Sequence, residues 1–331
     1  TPTPAPTPIF DGYLSTLTGG NTEIQALLLE FMGAVLSNVP GHRMKKALFL
    51  YGPGDTGKSQ LKRLTERLLG PGNYAGIDLA QMEERFGTSS IYGRRLAGSS
   101  DMSFMTVDEL NTFKTVTGGD TLHAEFKGQD SFEFVYNGLV WFCMNELPKF
   151  GGDDGSWVFD RIMPVYCPNV VAPQDQDHEL LDKMYAERTG IVYKAIEAVR
   201  DVIARGYRFT ETEGLKESRG AYRVENNTAL EFFNTCMKPR SHPPKNNDPI
   251  TVKKIYTAYC RWYELNYGKQ YRKSKKEFFR AIANSLHTTY EEMTMQNAKG
   301  TILRDYGPDA SAWEEYELFD EFLGNIRQWA A

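Results

Sequence analysis

The sequence predicts an α/β fold with a largely parallel sheet, followed by a mainly helical C-terminal part, and three observations carry that reading. Gly52-Pro53-Gly54-Asp55-Thr56-Gly57-Lys58-Ser59 fits the pattern G-x-x-x-x-G-K-[ST] and stands between the apolar run Ala47 to Tyr51 and a helical repeat, Gln60 to Leu69. The run Leu139 to Met144 is uninterruptedly apolar, as a strand buried on both faces must be, and a further strand is expected around Arg161 to Tyr166. Beyond about residue 172 strand signals vanish and helical periodicity takes over.

In chain order, Thr1 to Pro8 alternates proline with small residues, which is linker composition. Thr22 to Ser37 carries Ile24, Leu27, Leu28, Phe31 and Val35 as a helical stripe that Asn21 or Thr22 could cap, with Pro40-Gly41 after its end. After the glycine-rich loop and its helix, Asp78 to Phe86 reads as a short helix, Arg94 to Asp101 as a short strand ending in an acid, and Thr106 to Thr115 as a helix. Gly118-Gly119-Asp120 makes a turn, and Thr121 to Phe134 is expected to form a hairpin with a polar Lys127-Gly128 tip. Glu179 to Tyr185 and Gly190 to Ile203 read as helices, as do Asn227 to Met237, Val252 to Leu265, Lys273 to Leu286 and the aromatic-rich stretch Glu314 to Trp329. Tyr290 to Arg304 reads as a small hairpin, and three helices before a hairpin is the order of a winged helix. The expected division is a linker over 1–12, a helical leader over 13–45, a core over 46–171, a helical appendage over 172–223 and a winged-helix-like domain over 224–331.

The composition narrows the classes of function. With 331 residues there is chain enough for two cores, and 41% hydrophobic with 24% charged residues is ordinary for a globular protein. A formal net charge of -5 counts against a protein that coats nucleic acid over its whole surface, but not against one that concentrates positive charge in a channel. Cys143, Cys167, Cys236 and Cys260 are far apart in sequence, with no C-x-x-C pair, and read as buried thiols of a reducing, cytoplasmic compartment. No apolar run reaches the length of a membrane span. The chain does not open on Met, which suggests a piece of a longer or processed protein and leaves room for domains before Thr1.

The glycine-rich loop implies a nucleotide site. Its glycines let backbone N–H groups curl around the α- and β-phosphates, and the following helix adds its positive end. Lys58 would reach the β- and γ-phosphates of ATP and Ser59 would ligate Mg²⁺. A glycine turn with a solvated lysine would share the pattern but not the strand before it and the helix after it. Asp101, ending a strand downstream, is the candidate acid for Mg²⁺ and water; a capping aspartate is the plainer alternative, and Asp108 and Glu109 are the reserve acids. Asn145, closing the Leu139–Met144 run, suits a sensor of the γ-phosphate, or else a side chain that turns the strand end. Arg161 could serve as an arginine finger toward a neighbour's nucleotide, or make a surface ion pair.

The order Lys58, Asp101, hairpin, Asn145-Glu146-Leu147-Pro148 and Arg161 resembles the superfamily 3 helicases, in the branch of phage, plasmid, mobile-island and poxvirus primase-helicases. The resemblance runs over roughly residues 13 to 310. It includes Gly33-Ala34-Val35-Leu36, Gly52 to Ser59, Thr117-Gly118-Gly119-Asp120-Thr121, Phe134, Phe159-Asp160-Arg161 and Ile255 to Trp262. It implies an AAA+-like P-loop ATPase core with helical appendages and a C-terminal winged-helix domain. It also implies a homo-hexamer around single-stranded DNA, moving 3′ to 5′, with Lys58, Ser59, Asp101 and Asn145 on one side of each nucleotide and Arg161 entering from the next subunit. The family's DNA-contacting hairpin falls on Thr117 to Phe134, which makes Lys127, and after it His123, the residues to contact DNA in the channel; a solvated tip lysine is the alternative for Lys127. One charge per subunit would contact phosphates without reading bases.

Ser100 stands where many members carry a first acid, so metal coordination would depend on Asp101 alone or with a bridging water, and Glu146 is the substitute for Asp101 as general base. No primase-like acidic cluster occurs here, so a primase or initiator would be a partner or lie before Thr1. Lysines and arginines from Lys238 to Lys276, Lys269 among them, make the C-terminal third locally basic and suggest duplex or origin binding there, unless they form a solvated face around a core of Trp262, Tyr263, Phe278 and Phe279. The expected function is an ATP-dependent replicative DNA helicase of a virus or mobile element. The alternatives are an ATP-regulated DNA-binding replication initiator and an AAA+ protein-remodelling ATPase.

Overall fold

The computed structural model describes residues 2–107, 110–150, 156–267 and 272–318, and the chain divides into two units, Thr1–Tyr222 and Arg223–Ala331. Helix α1 (Pro8–Leu17) begins on a proline, whose fixed φ suits the first helical turn. The Glu187 carboxylate accepts from the Ile9 and Phe10 N–H groups at 3.0 and 2.9 Å, and Phe10, Leu14 and Leu17 are buried. Residues 8–12 are therefore helix rather than linker, because Pro8 opens an apolar face that has something to pack on. In α2 (Thr22–Leu36) the Asn21 side chain caps the Glu23 and Ile24 N–H groups.

The chain then supplies β1 (Ala47–Tyr51), α3 (Lys58–Leu69), β2 (Tyr74–Ala75), α4 (Leu79–Glu83) and α5 (Gly87–Ile91). An Asp78–Gln81 capping box starts α4. Strand β3 (Leu96–Ala97) is shorter than the run Arg94 to Asp101. The helix expected from Thr106 is instead β4 (Thr106–Val107) and then α6 (Asn111–Gly118), with Asp108 and Glu109 outside the described residues. The helical stripe of that segment is local information, whereas β4 is created by parallel pairing with β8 (Lys149–Phe150), about forty residues away. The Glu83 carboxylate accepts from the Thr112 and Phe113 N–H groups, which sets where α6 begins. Between them, β5 (Thr121–Ala124) and β6 (Phe132–Val135) form the expected antiparallel hairpin.

Five strands make the central sheet in the order β2-β3-β7-β1-β9, all parallel, where β7 is Leu139–Met144 and β9 is Ile162–Tyr166. Side chains alternate between two cores. Leu48, Leu50, Trp141, Cys143, Met163 and Val165 pack with α1, α2, α3 and, further on, α9 (Arg188–Ala204). Ala47, Phe49, Val140, Phe142 and Ile162 pack with α4, α5, α6 and Tyr222. Burial on both faces is why these strands have no polar side, and each large apolar side chain so placed contributes roughly 1.5–3 kcal/mol. Between β8 and β9 lies α7 (Ser156–Arg161), and after β9 come α8 (Leu180–Ala186), α9 and α10 (Glu213–Asn226), the last of which runs past the unit boundary at Arg223.

The second unit packs α11 (Thr228–Cys236), α12 (Val252–Tyr267) and α13 (Lys275–Ser285) around Phe232, Tyr259, Trp262, Phe278 and Trp313. After the one-turn α14 (Tyr290–Met293), β11 (Thr294–Asn297) and β12 (Gly300–Leu303) form a hairpin. A second pair joins β10 (Met237–Pro239) to β13 (Tyr306–Pro308), and α15 (Ala310–Glu315) follows. The helix expected over Glu314 to Trp329 lies mostly outside the described residues, as does Lys269. Trp262, Tyr263, Phe278 and Phe279 are core. Arg240, Arg261 and Arg272 are ion-paired with Asp248, Glu317 and Glu264, so part of this unit's positive charge is neutralised internally. Among the described residues no helix is long and apolar enough to cross a membrane.

Candidate functional site

The sheet brings three strand ends to one edge. Register places Tyr51 beside Met144, so the loop leaving β1 and Asn145 leaving β7 emerge side by side, and the Gly52 N–H donates to the Asn145 carbonyl at 3.2 Å. From the other side, Met102 N–H donates to Cys143 O at 2.8 Å and Cys143 N–H to Ser99 O at 2.9 Å. These bonds carry the chain alongside β7 beyond the two residues of β3 and deliver Asp101 to the same edge. The short strand of the sequence reading thus continues as a ladder without being a full strand.

Residues 52–57 are shaped by backbone constraints. Gly52 has φ 136°, and a Cβ there would lie 2.5 Å from the Cys167 carbonyl oxygen, so only glycine fits. Asp55 and Gly57 also have positive φ, 56° and 89°, and Gly57 opens α3. Lys58, only 6% exposed, turns back over the loop and donates to the Gly52 carbonyl at 2.8 Å, the Pro53 carbonyl at 2.5 Å and Thr56 Oγ1 at 3.1 Å. Burial lowers its pKa, with the Asp101 and Asp55 carboxylates among the groups acting in the other direction. Ser59 donates through Oγ to the Ser100 carbonyl at 2.5 Å, which places its hydroxyl one residue from Asp101. Asp101, Asn145 and Glu146 are exposed at this edge. A loop shaped by positive φ that opens a helix, a buried ammonium and two hard oxygen donors, Ser59 Oγ and the Asp101 carboxylate, are groups that fit a polyphosphate with Mg²⁺. Among the described residues no group of three or more His, Cys, Asp or Glu is disposed to hold a metal, so a divalent ion here would rely on those two donors, water and phosphate.

Sequence reasoning missed Tyr13. Its hydroxyl donates to the Gly57 carbonyl at 2.8 Å and its ring lies against Gly57, while burial raises its pKa well above the ordinary value and keeps the proton on the donor. A tyrosine in a leader helix 44 positions before its partner has no local signature. Cys143 and Cys167, beneath the loop, are buried and have thiol pKa values pushed up to about 12 by burial, as has Cys236; Cys260 is half-buried. All four remain free thiols.

Arg161 and the hairpin are not at this edge. Arg161 directly precedes β9, whose first residue Ile162 is level with Ala47 at the start of β1, so about 20 Å of strand separates it from its own chain's loop. Its guanidinium donates to the Lys114 carbonyl at 2.5 Å and Thr117 Oγ1 at 2.8 Å, at the end of α6 and the base of the hairpin. Burial lowers its pKa and Asp120 opposes the shift. In the hairpin, His123 faces Glu133 across the strands at 3.3 Å, both exposed, and Lys127 is exposed at the tip. The opposite face carries Phe132 and Phe134 with Tyr92 against them at 4.8 and 5.1 Å between ring centroids. Lys58, Ser59, Asp101, Asn145 and Glu146 thus gather at one edge, Arg161 and the hairpin base to which it bonds lie at the other end of the sheet, and His123 and Lys127 are carried on the hairpin itself.

Residues 50–161 match DUF5906, a family of unknown function, over about a third of the chain. The chain is 24% identical over 290 residues to protein 121R of Invertebrate iridescent virus 3, which is named as a helicase; the match covers 77% of this chain and 30% of that protein. The chain therefore spans less than a third of the length of that relative. Two apo structures of the NrS-1 C-terminal region share the fold. One has a TM-score of 0.52 at 13% identity, covering 93% of this chain and 77% of the other. The second has 0.51 at 16%, covering 92% and 76%. The class defined is a mixed α/β protein with a parallel sheet and helical segments. It is distantly homologous to a helicase-named viral protein.

Proposed function

We propose that the chain is the motor part of an ATP-dependent replicative DNA helicase of a virus or mobile element. It would act as a homo-hexameric ring that tracks one DNA strand 3′ to 5′. The observation that carries this reading is the division of the site between two ends of one sheet. The phosphate cradle with Lys58, Ser59, Asp101 and Asn145 stands at one end, and Arg161 with the hairpin base at the other. An arginine that cannot reach its own loop suits an arginine finger for a neighbour's nucleotide. Because it is bonded to the turn that begins the hairpin, nucleotide turnover next door would be felt where DNA is held. The relative named as a helicase supports the same reading.

In this mechanism the loop N–H groups and Lys58 hold the phosphates, and Asn145 orients the attacking water, whose proton passes to Asp101 or Glu146. Mg²⁺ at Ser59 and Asp101 would supply charge neutralisation on the β- and γ-oxygens when bound. Tyr13 acts by position: the carbonyl and N–H of one peptide plane point oppositely, so holding the Gly57 carbonyl turns the Lys58 N–H away from Tyr13. Tyr13→Phe is expected to weaken ADP binding about 2–10-fold, the value of one hydrogen bond, and, because the bond is already made without ligand, to lower Tm by a few degrees. Titration with a fluorescent ADP measures it, and an unchanged Kd would remove Tyr13 from the site.

We read the second unit, with its helices followed by a hairpin, as a winged helix. Duplex or origin binding by it would rest on Lys253, Lys254, Lys275 and Lys276, since Arg240, Arg261 and Arg272 are paired. A replication initiator, or a protein-remodelling ATPase, would share the nucleotide site. A primase or initiator partner belongs with the helicase reading. Strand displacement on 3′- and 5′-tailed substrates, with mass measured with and without ATP, separates these readings. Displacement from the 3′ tail by a six-subunit species is the expected result, and ATP turnover with no displacement on either tail would reject the helicase. Lys127→Ala is expected to keep basal ATPase and lose DNA stimulation and unwinding; unwinding at the normal rate would discard the hairpin assignment.

A further inference from the structure

At the end of the sheet away from the phosphate loop, beside the starts of β1 and β9, lies a cleft of about 930 Å³ lined by Arg43, Lys45, Lys46, Arg205, Arg208 and Arg219. Among the described residues the only acid in its lining is Glu211, which is paired with Arg219 at 2.6 Å. In a chain of net charge -5 this concentration of cations is a local construction and not a consequence of composition.

The cleft is built before anything binds. Glu30, 4% exposed, sits beneath it and accepts from Arg205 Nη2 at 2.6 Å, the Thr210 N–H at 2.7 Å and Thr210 Oγ1 at 2.6 Å, which pins the 205–210 loop at both ends. Arg205 Nε donates to the Arg208 carbonyl at 3.3 Å. Tyr207 and Lys45 both hold positive φ, 66° and 51°, a conformation that side-chain-bearing residues adopt only where the surroundings impose it. Arg43 donates to the Tyr207 hydroxyl at 2.6 Å and its guanidinium carbon lies over that ring, 4.8 Å from the centroid, which holds the charge at the wall of the cleft. The Arg219 Nε is buried without an acceptor among the described residues. Lys46 has its pKa lowered by burial and then by the Arg219 guanidinium, a repulsion that a bound anion would relieve.

We propose that this cleft is a second polyanion site that holds the sugar–phosphate backbone of nucleic acid, separate from the hairpin and without base readout. Guanidinium groups match phosphate oxygens in planar, two-pronged geometry, and six cationic side chains around one cleft of about 930 Å³ are more than a single phosphate needs, which suits successive phosphates. Tyr207, the one aromatic ring in the lining besides Phe209, is covered by Arg43 and offers no stacking platform, so the contact would be independent of sequence.

The test uses the full chain and a fluorescein-labelled single-stranded 20-mer, with anisotropy followed across a salt series. Lys45→Glu with Arg208→Glu alters two exposed residues whose side chains make no hydrogen bond among the described residues. Affinity is expected to fall at least ~10-fold near 100 mM salt, and the slope of log K against log salt to drop by about 1.4, two phosphate contacts on a single strand. Fluorescent-ADP affinity and Tm should stay as in the unsubstituted protein. Unchanged DNA affinity and slope in a folded variant would overturn the inference, as would failure of the unsubstituted chain to bind the 20-mer. Poly-glutamate of equal charge, bound as tightly and released by the same pair of substitutions, would also overturn it and assign the cleft to an acidic polypeptide. If Lys127→Ala weakens DNA binding and this pair does not, the cleft fails while the helicase reading stands.

Discussion

Lys58→Ala is expected to abolish ATP hydrolysis, lowering turnover by at least roughly 10²–10³-fold, because a preorganised charge opposite the transferring phosphoryl group is lost. The structure adds a second consequence. Nζ holds three acceptors of the loop, Gly52 O, Pro53 O and Thr56 Oγ1, so the substitution also frees the backbone that must present its N–H groups to the phosphates. Nucleotide affinity should therefore fall together with turnover, and Lys58→Arg should not restore it, since a planar guanidinium does not fit the place of a compact ammonium. Near-normal turnover in Lys58→Ala would reject the ATPase assignment. A pH effect has a definite sign. Burial lowers the pKa of Lys58 in the folded chain, so between that lowered value and the ordinary lysine range the unfolded chain binds more protons. The contribution of Lys58 to stability without ligand consequently rises with pH through that window and is least favourable below it. Polyphosphate binding reverses the shift and takes up protons, so nucleotide affinity should decline as pH climbs through the same window.

Arg161→Ala is expected to leave nucleotide binding largely intact and to remove assembly-dependent hydrolysis, by about 10³–10⁵-fold if the residue is a full arginine finger. The separation of about 20 Å along β1 makes an effect on its own chain's phosphates implausible on geometric grounds. Mixing Arg161→Ala with Lys58→Ala subunits distinguishes a trans role from a purely structural one. A mixed ring contains interfaces in which an intact loop meets an intact arginine, and those should turn over. Failure to complement would leave Arg161 as the residue that ties Lys114 and Thr117 at the base of the hairpin, a role that acts within one chain and cannot be rescued by a neighbour.

How much of the site was legible follows from how local each signal is. The loop was readable because glycine at 52 and 57 and a lysine after them answer to backbone φ values and close approach, which depend on a few consecutive residues. Asn145 was readable as the residue after an all-apolar strand. Asp101 was harder, since β3 has two formal residues and its continuation rests on hydrogen bonds to β7. Tyr13 and Glu30 had no sequence signal at all: each acts across the fold, Tyr13 on Gly57 and Glu30 on Arg205 and Thr210. The helix expected from Thr106 failed for the same reason, because the partner of β4 is a distant strand.

By itself the sequence determined the strand–loop–helix unit, the buried strands, the hairpin with Lys127 at its tip and the helical C-terminal unit, all set by residue spacing within one element. Only the tertiary structure decided that the parallel sheet carries Lys58, Asp101 and Asn145 to one edge and leaves Arg161 and the base of the hairpin at the other. It also gathered residues 43–46 and 205–219 into one basic cleft. Periodicity says which face of an element is buried, whereas strand order and register say which ends meet, and those are set by contacts between residues far apart in the chain.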